Sequence, residues 1–128
     1  MRSQQEIFTL VLESLKAQGE RAIGTDGLCR LRGEDGTKCA VGFLIPDSEY
    51  SPELDTNDFL YSENAKNFPE ICENKLLMND LMMLHDKELN WDFPSSEKPN
   101  EDNPFSPIGL IAIKNIAKDR GFTTPDWV

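Results

Sequence analysis

The sequence predicts a single α+β domain in which three main helices pack on a small antiparallel β-hairpin or sheet. Three observations lead there. Apolar residues recur at helical spacing in residues 4–18, 73–89 and 106–120. An Asp-Gly turn, Asp35-Gly36, stands between two short runs. The length of 128 residues suits one domain with a core that needs no staples, since a chain of this size buries about two thirds of its unfolded surface.

The first helix is the clearest. Ile7, Phe8, Val11, Leu12 and Leu15 share one face, while Gln4, Glu6, Glu13 and Lys16 fall elsewhere. Ser3 with Glu6 is a capping-box pattern and Gly19 follows as a C′ residue. Residues 20–27 then form a loop into the hairpin. Leu28 to Arg32, the turn Gly33-Glu34-Asp35-Gly36 and the return from Lys38 make up that hairpin. The end of the return, Ala40 to Ile45, reads equally as strand or as one or two buried helical turns, because a short apolar run has no decisive periodicity. Pro46 ends either one.

From Asp47 to Glu63 the chain carries Asp47, Glu49, Glu53, Asp55, Asp58 and Glu63 with no Lys or Arg. Residues 47–50 are expected to form one helical turn, and Phe59-Leu60-Tyr61 to tuck inward. In the second helix Leu76, Leu77, Leu81, Met83, Leu84 and Leu89 trace a broad apolar stripe, with Met78 and Met82 beside it. His85 falls in its last turn, where the helix dipole favours it. Residues 90–105 form a long polar loop anchored by Trp91, Phe93 and Phe105, long enough to be either mobile or functional, as an interaction loop. Ser106-Pro107 opens the third helix as N-cap and N1, Ile108, Leu110, Ile111, Ala112 and Ile116 supply its buried face, and Gly121 closes it. The tail, residues 122–128, either docks through Phe122 and Trp127 or stays loose.

The block KCAVGFLIPD, Lys38 to Asp47, followed by Tyr50, resembles a family of short uncharacterised proteins found mostly in bacteriophage and prophage genomes. The opening helix with Phe8, Val11 and Gln18, the CRLRGEDG lead-in and LMMLHD at Leu81 to Asp86 fit the same family. The resemblance covers roughly the first two thirds of the chain and leaves out Asn90 to Val128. It implies a phage context and assigns no activity, cofactor or catalytic residue.

The net charge of −10 favours solubility and repels a phosphate backbone, so direct nucleic-acid binding is disfavoured and a basic protein surface is the expected partner. Nothing approaches the ~20 apolar residues of a membrane span, and the start, MRSQQEIF, lacks the apolar stretch of a secretory leader. Three cysteines without such a leader point to a reducing compartment, with free thiols or a metal site; together with the phage context that the resemblance implies, the expected location is the cytoplasm of a bacterial host.

Two chemistries compete with a binding role. Cys29, Cys39, Cys72 and His85 add up to three thiolates and one imidazole, a zinc-compatible set, although the tight Cys-x-x-Cys spacing is missing. Cys39 precedes a run whose helix dipole would activate its thiol, with His85 as base and Asp86 or Asp80 orienting it. Against that, neighbouring His85 and Asp86 on one helix are not expected to face each other. Phosphate-binding glycine motifs are missing from the sequence. The expectation is therefore a small acidic, non-catalytic accessory protein that binds a host or phage protein through Asp47, Glu49, Glu53, Asp55, Asp58 and Glu63. The alternative is a zinc protein or thiol-dependent hydrolase using Cys39 and His85.

Overall fold

Four helices and a series of 3-10 turns account for the regular structure of the computed structural model, which describes residues 1–56, 58–91 and 103–128. Helix α1 is Gln4–Gln18, α2 is Pro69–Cys72, α3 is Lys75–Asp86 and α4 is Pro107–Arg120. The α+β expectation is corrected: among the described residues there is no sheet, and extended pairing is limited to the isolated antiparallel bridges Ile23–Cys29, Arg32–Lys38 and Trp91–Phe105.

The chain does reverse where expected. Gly36 takes φ +77° and the Gly33 N–H donates to the Thr37 carbonyl at 2.9 Å. A ladder fails to grow because side chains take the backbone groups that would build it. The Gln18 amide accepts from the Lys38 N–H at 2.7 Å and donates to the Lys38 carbonyl at 2.8 Å. The Asp55 carboxylate accepts from the Leu31 N–H at 2.9 Å and the Arg32 N–H at 3.3 Å. Each backbone donor serves one strong acceptor, so these contacts displace strand pairing rather than add to it. The open choice for Ala40 to Ile45 resolves as a 3-10 turn, Gly42–Leu44, with Ala40, Val41 and Ile45 buried.

Arg32 holds that turn in place. Its guanidinium donates to the Gly42 carbonyl at 2.8 Å and the Ile45 carbonyl at 2.7 Å, and its face lies 4.7 Å from the Tyr50 ring centre. A planar fork with several donors suits two carbonyls at a helical C-terminus.

Helix α1 forms as its sequence predicts. The Ser3–Glu6 capping box is complete, Gly19 closes the helix at φ +79°, and Ile7, Phe8, Val11, Leu12 and Leu15 are fully buried. The helix expected over residues 73–89 is shorter. It is α3, preceded by α2 and followed by a 3-10 turn at Glu88–Asn90. The Asn90 side chain donates to the Leu84 carbonyl and the Trp91 indole to the His85 carbonyl, satisfying the last carbonyls of α3.

Helix α4 starts against this turn. Ser106 caps it, accepting from the Gly109 N–H at 3.1 Å while its hydroxyl donates to the Leu89 carbonyl. Leu77, Met78, Leu81 and Leu84 of α3 and Ile113, Ile116 and Ala117 of α4 enter the core. Leu76, Met83, Leu89, Ile108 and Ile111, expected in the apolar stripes, are instead exposed, as is Tyr61. Phe59 and Leu60 tuck in as expected.

Trp91 and Phe105 meet, stacked at 4.7 Å; most of the stretch expected to form a long loop, residues 92–102 with Phe93, lies outside the described residues. The tail docks rather than hanging loose. Trp127 stacks on Phe105 at 5.8 Å and its indole donates to Glu13, while Phe122 packs 5.1 Å from Phe8.

Candidate functional site

Cysteine, histidine and carboxylate meet once among the described residues, at the C-terminal end of α3. Ligating atoms of Cys29, His85 and Asp86 all lie within 4.8 Å of one another. The fold brings Cys29 there through the loop pairing of Ile23 with Cys29, which lays the loop across the end of α3. Cys39 and Cys72, expected in a zinc set with His85, stand outside this group.

His85 is fully buried, and both ring nitrogens are engaged. The Ala22 N–H donates to Nε2 at 2.9 Å, and Nδ1 lies 2.7 Å from Asp86 Oδ1. A backbone N–H can only donate, so Nε2 is the unprotonated nitrogen and Nδ1 carries the proton toward Asp86. The contact between His85 and Asp86 corrects the expectation that neighbours on one helix do not face each other. Asp86 is the last residue of α3, where its side chain can turn back along the imidazole edge. Arg21 donates to the Asp86 carbonyl at 3.1 Å and tethers the loop to the same end.

The thiol of Cys29 is half-buried beside Asp86 and Arg21. Burial first, and then the Asp86 charge, push it up to about 11 despite the opposing pull of Arg21. The network thus runs from the Ala22 amide through the imidazole to Asp86, with Cys29 alongside as a protonated thiol. Its imidazole is not a free base. The Nε2 lone pair that a thiol hydrolase would use is occupied by the backbone.

The same geometry bears on a metal. As arranged, the imidazole offers an ion no open lone pair, because Nε2 accepts from the Ala22 amide and Nδ1 holds the proton directed at Asp86. The group as arranged therefore offers a thiol and a carboxylate but no imidazole ligand.

Cys39 is also unsuited to nucleophilic work. It is fully buried, its sulfur accepts from the Gly42 N–H at 3.2 Å, and burial pushes its thiol up to about 12. The expected helix dipole is lacking, because the run after Cys39 forms a 3-10 turn of three residues. Asp80, the other candidate to orient His85, pairs with Arg120 at 2.7 Å.

The six acidic residues divide into three kinds. Asp55 is an internal tie: besides Leu31 and Arg32 it accepts from the Tyr50 hydroxyl at 3.0 Å. Asp47 is exposed but faces Lys38 at 3.4 Å and Arg32 at 3.1 Å, and these cations, Lys38 foremost, hold its carboxyl below the usual range. Glu63 pairs with Lys66 one turn on. Glu49, Glu53 and Asp58 are exposed and form no ion pair with a described residue. Sequence reasoning singled out Cys39 where the fold uses Cys29, and read Asp55 as surface. No local signal separates either pair, since the difference arises from contacts across the chain.

No family model, curated protein or solved structure matches the chain. Among the described residues, no helix is long and apolar enough to cross a membrane.

Proposed function

We propose that the protein is a small acidic accessory protein that works by binding another protein, encoded by a phage and acting in the host cytoplasm. The observation that carries this reading is the closed state of the Cys29–His85–Asp86 network. Its imidazole lone pair is used by the backbone and its thiol is held protonated. The chemistry left at the surface is charge. With a net −10 and Glu49, Glu53 and Asp58 exposed along one stretch of 3-10 turns, the protein offers a basic partner acidic side chains that are unpaired among the described residues. Resemblance of the Lys38–Asp47 block to short phage proteins supports the phage context. The same charge disfavours direct contact with nucleic acid.

The test is affinity capture by the tagged protein from bacterial lysate at low and high salt, beside the variant E49K/E53K/D58K. A stoichiometric partner that is lost both at high salt and in the triple variant supports the reading. A partner retained by the triple variant, or a catalytic activity abolished by C29A with the fold intact, overturns it.

A further inference from the structure

Helices α3 and α4 and the 3-10 turn Glu88–Asn90 carry more apolar side chains than the core accepts. Leu84 and Ile116 face inward, while Met83, Leu89, Ile108 and Ile111 remain 47%, 73%, 55% and 58% exposed. These six residues line one groove of about 520 Å³ between the two helices. The helices run antiparallel there: Gly109 near the start of α4 approaches Asn90 beyond the end of α3, and Arg120 at the end of α4 reaches Asp80. The groove is therefore polarised. Lys87, Leu89 and Ile108 lie toward one end, and Asp80 and Asp119 line the other. Arg120 pairs with Asp80, whereas Asp119 is exposed and pairs with no described residue.

Single exposed apolar residues are ordinary, but several converging on one concave surface mark an interaction site. From Ile108 to Asp119 the groove runs roughly 16 Å at 1.5 Å per helical residue, the length of three helical turns. That span, apolar between Lys87 at one end and Asp80 and Asp119 at the other, matches an amphipathic helix whose basic terminus lies at the aspartate end. A second copy of the chain is a poor occupant, because two molecules of net charge −10 repel on approach.

We propose that the α3–α4 groove takes a three-turn amphipathic helix of a partner protein, its apolar face against Met83, Ile108 and Ile111 and its Lys or Arg residues at the end bearing Asp80 and Asp119. This rests on the reading of the protein as a binding module but uses a face separate from Glu49, Glu53 and Asp58.

The experiment uses two labelled synthetic 14-residue helical peptides with the same leucine face. One carries lysines at one end and the other glutamates. Anisotropy titrations compare wild type with I111E and D119K, and amide chemical shifts map the contact. The expected result is saturable binding of the lysine peptide with shifts along α3 and α4, weakened at least tenfold by I111E, and at least threefold by D119K or by the glutamate peptide. No binding, equal binding of both peptides, shifts elsewhere, or a wild-type dimer that I111E dissociates overturns the proposal. Partner capture that survives I111E while E49K/E53K/D58K abolishes it leaves the acidic-face reading standing and sinks this one alone.

Discussion

Asp55 lies in a stretch whose composition reads as solvated acid, yet its carboxylate anchors two backbone amides and a tyrosine hydroxyl. Glu53, two residues earlier, is exposed. Their substitutions should therefore diverge. D55A strands the Leu31 and Arg32 amides and is expected to cost about 2–3 kcal/mol, whereas E53A should stay within about 0.5 kcal/mol. Urea denaturation of the two variants checks this, and equal midpoints would refute the anchoring role. The thiols make a second contrast at this scale. With Cys29 pushed up to about 11 and Cys39 to about 12, both should react with iodoacetamide at pH 8 far more slowly than a free thiol. Denatured protein should react at all three cysteines. Peptide mass mapping reads the sites, and rapid native modification of Cys29 would contradict the burial argument.

The join between α3 and α4 depends on an absent side chain. A Cβ at Gly109 would sit 2.0 Å from the Asn90 carbonyl oxygen, which is backbone and cannot swing aside. G109A should force the helix off the turn and destabilise by about 3 kcal/mol or more, despite the higher helix propensity of alanine. A thermal melt at or above the wild-type midpoint would show that the two elements can separate freely. Element boundaries followed from local chemistry wherever caps were present. Ser3, Gly19, Ser106 and Gly121 all act as their types predict. The hairpin went the other way, because Gln18 and Asp55, from outside the hairpin, occupy the backbone groups a ladder needs.

For the whole molecule, the buried thiols set an alkaline limit. Each is raised in the fold from an ordinary value of 9.0, so the unfolded chain loses those protons first. Their contribution to stability is complete below pH 9 and is lost as pH rises through about 11 to 12. Tyr50, raised by burial and by its bond to Asp55, acts in the same direction. Urea midpoints should fall from pH 8 to pH 10.5, and C39A should show a shallower fall from its own lower starting point. A midpoint independent of pH over that range would refute the linkage.

What the sequence determined by itself was local: the positions and caps of α1 and α4, the turn at Gly36, the net charge and the buried stripe of α1. Each depends on residues within a few positions of one another, so spacing and residue type suffice. Tertiary structure alone decided which cysteine meets His85, whether Asp55 faces water or backbone, and which half of the surplus apolar residues on α3 and α4 is covered. Those outcomes turn on contacts between residues far apart in the chain. A helical stripe records how many apolar side chains a helix carries, and only the packing partner determines how many it can bury.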